Sequence, residues 1–131
     1  MNTERIPTES AEQQWLFKWA AYESSTHPEL GLMYHIPNEG RRSRATGGRM
    51  RAEGLKKGVP DICLPVARMG FHGLYIELKR IKHGRATEEQ RTWLRKLTAE
   101  GYLACICHDW RAAADVICDY LSERPIGETK A

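Results

Sequence analysis

No apolar run in the chain approaches the roughly 20 residues that a membrane-spanning helix requires, so no membrane association is expected. The N-terminal MNTERIPTES has no apolar stretch after Arg5 and does not read as a signal peptide. Cysteine is scarce, at four residues in 131. Without a secretory leader these thiols are expected to be reduced, which implies a cytoplasmic protein. Their spacing, including Cys105-Ile106-Cys107-His108, matches no common zinc site, and they are expected to pack as small hydrophobes. There is no internal repeat and no low-complexity segment. Charge is not in large excess either, since the net value is +3.

What is present is an ordinary globular composition, 41% hydrophobic and 28% charged. A length of 131 residues suits one domain, 1–131, with a core over about 10–121 and loose tails at 1–8 and 122–131. The charge is unevenly spread. Arg41, Arg42, Arg44, Arg49, Arg51, Lys56 and Lys57 fall within one short window against the single acid Glu53. The remainder of the chain is mildly acidic. Such a cationic segment suits an anionic polymer such as a nucleic-acid backbone.

The pattern along the chain predicts α-β-(basic loop or helix)-β-β-α-β-α. Ser10 and Gln13 read as a capping box opening a helix to about Tyr22, with Glu12 on its inward face beside Trp15, Leu16 and Trp19. Leu32–Ile36 reads as a short strand. The basic segment contains Gly47, Gly48 and Gly54 and is expected to hold at most two or three helical turns. Pro60 leads into a strand over 61–64, and 73–79 is the clearest strand of all. Thr87 and Gln90 form another capping box, opening a helix that Gly101 ends. The apolar stretch 102–107 predicts a strand central in the sheet, and Asp109 caps a last helix. Trp15, Trp19 and Trp93 are expected in the core. The fold class is therefore α/β, a small mixed β-sheet flanked by helices.

Alternation along 73–79 places Glu77 and Lys79 on one face of the strand, opposite Ile76 and Leu78. If the two preceding strands are antiparallel neighbours, Asp61 comes close to Glu77. Two adjacent carboxylates repel, and a cation between them removes the penalty. Oxygen ligands of this kind suit Mg²⁺ or Mn²⁺. Glu12 is a candidate for a third carboxylate. A hard cation, the Lys79 ammonium and a basic segment together are the parts of a phosphodiester hydrolysis site.

Pro60-Asp61, then Glu77-Leu78-Lys79, resembles the PD-(D/E)xK nuclease signature. His35-Ile36-Pro37-Asn38, the basic stretch and Gly54-Leu55-Lys56-Lys57-Gly58-Val59-Pro60-Asp61 resemble the VRR-NUC branch of that superfamily. So does Thr87-x-x-Gln90-x-x-Trp93-Leu94-x-x-Leu97-x-x-x-Gly101-Tyr102. The resemblance runs from about Glu12 to Leu121. It implies a restriction-endonuclease-like core and a metal site of Glu12, Asp61 and Glu77, with Glu9 and Glu23 as weaker candidates for the helix carboxylate. It also implies catalytic roles for Asp61, Glu77, Lys79 and Gln90. Asn38 matches the family's Pro-Asn step, whereas Glu39 stands where a small residue is usual. Asn38, Arg41, Arg42, Arg44, Arg49, Arg51, Lys56 and Lys57 are the expected nucleic-acid contacts. Stand-alone members of this size occur in phages and resemble resolvases of four-way (Holliday) junctions, which implies branched DNA as partner and a homodimer.

Overall fold

The computed structural model describes residues 5–37, 44–82 and 84–127. Helix α1 spans Glu9–Glu23, and a 3₁₀ turn follows at Pro28–Leu32. Strand β1 is Tyr34–His35, helix α2 Arg44–Ala52, strand β2 Ile62–Leu64 and strand β3 Leu74–Lys79. Helix α3 (Glu88–Ala99), strand β4 (Leu103–His108) and helix α4 (Trp110–Leu121) complete the fold. The sheet order is β1-β2-β3-β4; the first three strands are antiparallel neighbours and β4 is parallel to β3.

One face of the sheet carries Ile62, Leu64, Leu74, Ile76, Leu78, Cys105 and Cys107, and these pack with Leu16 and Ala20 of α1 and Ala113, Ile117 and Tyr120 of α4. The Tyr120 hydroxyl, fully buried, donates to the Val66 carbonyl at 2.6 Å, so this polar group is satisfied inside the core. Helix α3 lies against β4 and buries Leu94.

Five expectations need correction. The cap of α1 is Thr8, whose hydroxyl accepts from Ala11 N at 3.1 Å, not Ser10. Residues 5–8 are accordingly not a loose tail: the Ile6 carbonyl accepts from Arg80 Nη2 at 3.2 Å. Leu32 belongs to the 3₁₀ turn, because Pro28 starts a tight turn there and leaves a strand of two residues. Strand β4 ends the sheet instead of lying inside it. Its unbroken apolar character comes from contacts with both α3 and α4, not from a strand on each side. The tryptophans also differ from expectation, since Trp15 is 42% exposed and Trp19 and Trp93 are half-buried.

Other signals act as their chemistry dictates. The Thr87–Gln90 capping box is complete, with both reciprocal hydrogen bonds. Gly101 closes α3 with φ at +95°, and a Cβ there would meet the His72 ring at 2.7 Å. All four cysteines are free thiols, and Cys63, Cys105 and Cys107 are buried.

Candidate active site

The β2–β3 register pairs Ile62 with Ile76, so Asp61 lies across from Glu77. The Asp61 main chain is held by β1, its carbonyl accepting from Ile36 N at 2.7 Å and lying 2.9 Å from His35 Nδ1. Its side chain reaches over the next strand, where Oδ2 accepts from Leu78 N at 2.9 Å. Burial raises the Asp61 pKa above the usual carboxylate value, against the lowering effects of the Leu78 N–H and of Lys79.

Glu77 is 1% exposed. Its Oε2 accepts from Gln90 Nε2 at 2.8 Å and lies 3.3 Å from Lys79 Nζ. Its Oε1 is buried without a hydrogen-bond partner. Burial, then the charge of Asp61, pushes Glu77 up to about 8, although Lys79 opposes both. A buried carboxylate with a bare oxygen beside a second carboxylate is costly unless something positive meets it. Both groups are hard oxygen donors, and a small divalent cation that keeps most of its waters needs only one or two carboxylates. The pair therefore fits a cation of the Mg²⁺ or Mn²⁺ type. Among the described residues, no group of three or more His, Cys, Asp or Glu side chains converges on one point.

Gln90 reaches Glu77 because its own helix start orients it. Its Oε1 accepts from Thr87 N at 2.8 Å in the capping box, which leaves Nε2 to donate to Glu77. Lys79 is buried and bridges outward, with Nζ 3.9 Å from Glu9 Oε2. A cleft of about 210 Å³ opens here, lined by Glu9, Ser10, Gln13, His35, Asp61 and Leu78. A larger hollow of 580 Å³, beside β4 and α4, shares none of these residues.

Asp61, Glu77, Lys79 and Gln90 are thus brought together. Glu12 is held elsewhere: it is 1% exposed, and its Oε1 accepts from Trp110 N at 3.0 Å. That places a carboxylate at the positive end of α4 and docks α1 onto it. Glu9 is the α1 carboxylate that meets Lys79. The signal for Glu9 is Thr8: with the cap there, Glu9 becomes the first helical residue and stands at the mouth of the cleft. Glu23 ends the same helix, fourteen residues further on. His35 and Gln13 also line the cleft, although the sequence assigns neither a role in the site.

Among the expected nucleic-acid contacts, Asn38, Arg41 and Arg42 lie outside the described residues, as does Glu39. Arg44 opens α2. Arg49 is exposed and pairs with Glu53 at 3.4 Å, a contact that competes weakly with solvent. The Arg51 guanidinium lies over Gly47, 3.3 Å from where a Cβ would stand. Lys56 is exposed, and Lys57 pairs with Glu89 of α3 at 3.6 Å. The Lys57 carbonyl accepts from Trp93 Nε1 at 3.0 Å, so the segment entering Asp61 is fastened to α3. Gly58 permits the approach, with φ at +90° and a would-be Cβ 2.8 Å from the Glu89 main chain.

The family model described as "VRR-NUC domain" matches residues 8–110. A solved structure titled "VRR_NUC domain protein" is similar with a TM-score of 0.79 at 25% identity, covering 96% of this chain and 95% of that one. A search of curated proteins found no match. The similarity extends across the mixed sheet and its flanking helices, a restriction-endonuclease-like core.

Proposed function

Since the chain belongs to the VRR-NUC domain family, a nuclease-type family, we propose that it is a metal-dependent DNA endonuclease acting on branched DNA, four-way junctions in particular, as a homodimer. The observation that carries the proposal is the Asp61–Glu77 pair, with the bare Glu77 Oε1 and the Lys79 ammonium beside it.

Asp61 and Glu77 would hold a Mg²⁺ or Mn²⁺ ion, which when bound supplies Lewis acidity toward a phosphate oxygen and lowers the pKa of a water. Water attacks the phosphorus, and the bond to the 3′ oxygen breaks. The products are a 5′-phosphate and a 3′-hydroxyl, which takes up a proton. Lys79 offsets negative charge that builds up on the phosphate. Gln90 fixes the Glu77 carboxylate through its N–H. The cations of α2 and of Lys56–Lys57 grip the sugar–phosphate backbone, which positions DNA without reading its sequence. The two-fold symmetry of a four-way junction suits a C2 dimer with one site per strand. Four free thiols suit work in a reducing compartment such as the cytoplasm. No described helix is long and apolar enough to cross a membrane.

The test is cleavage of a labelled four-way junction beside a matched linear duplex and a 5′ flap, with Mg²⁺, Mn²⁺ or EDTA. Paired symmetric nicks in the junction that need the metal and vanish in a folded Glu77→Ala variant are expected. Cleavage of the flap or linear DNA alone would remove the junction assignment. No cleavage of any substrate would remove the nuclease.

A further inference from the structure

Helix α1 carries two apolar stripes. Leu16 and Ala20 face the core. Trp15, Trp19 and Tyr22 form the second stripe at helical spacing; Trp19 is half-buried against the core, whereas Trp15 and Tyr22 are exposed. A helix that is apolar on one face has all it needs for packing, so the second stripe requires another reason. Trp15 is 42% and Tyr22 81% exposed. Together with Trp110 they line a groove of about 680 Å³ between α1 and the start of α4. Its other lining residues include Lys18 and Arg111 and no carboxylate. The Arg111 guanidinium lies 5.2 Å from the centre of the Trp110 ring. Both helices begin at the end of β3 where Lys79 stands, as the Lys79–Glu9 pair and the Lys79 carbonyl bond to Asp109 N show.

We propose that this groove binds unpaired nucleotides of the DNA substrate, their bases against Trp15 and Trp110 and their phosphates on Lys18 and Arg111. The inference rests on the nuclease reading for the identity of the substrate. Three features favour an unpaired strand. Trp15 and Tyr22 present exposed aromatic surface beside the half-buried Trp110, which duplex DNA cannot use because its bases are already stacked. Lys18 and Arg111 line the same groove, and strand-binding surfaces combine cations with aromatic faces. A second copy of the chain is disfavoured by charge: an isologous contact would press this all-cationic patch against itself. A flap carries unpaired bases and a four-way junction exposes them when its branch point opens, so the groove would recognise an opened branch while the carboxylates address a phosphate of the same substrate.

The test is the affinity of the full chain for a labelled twelve-nucleotide oligothymidine and for a blunt twelve-base-pair duplex, by anisotropy in EDTA. Tryptophan fluorescence is followed in parallel. The wild type is expected to bind the oligothymidine with quenching. Trp15→Ala and Arg111→Ala are each expected to weaken that binding about ten-fold while leaving duplex binding unchanged. Because Trp15 is largely outside the core, its variant should fold, and circular dichroism checks this. Oligothymidine binding unaltered in both variants overturns the proposal, as does an equal loss for the duplex. Dissociation of a dimer by Trp15→Ala, with strand binding intact, assigns the groove to a second copy and also overturns it. The readout needs no cleavage, so loss of strand binding in a chain that cuts nothing would keep the groove and remove the nuclease. Metal-dependent cutting with unaltered strand binding would do the reverse.

Discussion

Glu77→Gln separates the electrostatic cost of the site from its catalytic use. Glu77 stands at about 8 in the folded chain against an ordinary 4.5. A raised acid means that the folded chain binds more protons than the unfolded chain between those values. Stability from this group is therefore complete below about pH 4.5 and is lost as pH rises through 8. At ~1.4 kcal/mol per pH unit the ceiling on that loss is about 5 kcal/mol. Glutamine has the shape of the protonated acid and cannot ionise. Its oxygen can keep the Gln90 contact, and its NH₂ takes the place of the unpartnered Oε1. The attraction of Lys79 at 3.3 Å is already contained in the value of about 8 and removes nothing further from the gain. A net stabilisation of at least about 1 kcal/mol is expected at pH 9, or about 3 °C in Tm for a chain of this size. Thermal melts of wild type and variant in EDTA at pH 5, 7 and 9 measure it. The two should melt together at pH 5 and diverge as pH rises. Mn²⁺ should raise the wild-type Tm at pH 9 and leave the variant unmoved. A variant less stable than wild type at pH 9, or a gap independent of pH, refutes the reasoning.

Gln90→Glu keeps a capping-box side chain for α3 but sets a carboxylate against Glu77 Oε2 at 2.8 Å; helicity by circular dichroism should hold while kcat falls at least ten-fold. Replacing Arg41, Arg42 and Arg44 by Ala should weaken junction binding and reduce the slope of log affinity against log salt by up to about three, near one per phosphate contact, as measured by anisotropy from low to moderate salt. Gly58→Ala must adopt φ near +90° and press a Cβ on the Glu89 main chain, so urea unfolding should show a loss of about 2 kcal/mol or more. Glu12→Ala leaves Trp110 N without its acceptor and should cost about 1–3 kcal/mol for a buried unpaired group, with urea unfolding again the measure.

The nearness of Asp61 to Glu77 is legible in the chain because a short connection between two strands leaves few registers, and alternation then decides the face. The Thr87–Gln90 cap is legible for the same reason, since all its partners lie within one turn. What escapes sequence reading depends on distant contacts. Glu12 has an inward-facing position, and nothing within α1 tells whether a metal or the end of another helix meets it; Trp110 does. Apolarity in β4 tells that both faces are covered and leaves open whether by strands or by helices. Trp15 and Trp19 carry the apolarity of a core residue, yet the width of the α1 stripe exceeds what the sheet can cover. The Gln90–Glu77 bond joins a helix cap to a strand across a crossover, and neither local pattern contains it.

The order β1-β2-β3-β4 makes every neighbour in the sheet a neighbour in the chain as well. Only the β2–β3 connection, residues 65–73, is short, so this hairpin with its Asp61–Leu78 bond needs only a local closure. The Glu12–Trp110 bond is a different event, for it joins residues 98 apart. It closes a loop of nearly the whole chain, so the α1–α4 seam is expected to form late in folding. Weakening that seam should accelerate unfolding far more than it slows folding. On that expectation the lifetime of the native state, as distinct from the speed of reaching it, follows how firmly the first helix holds the last.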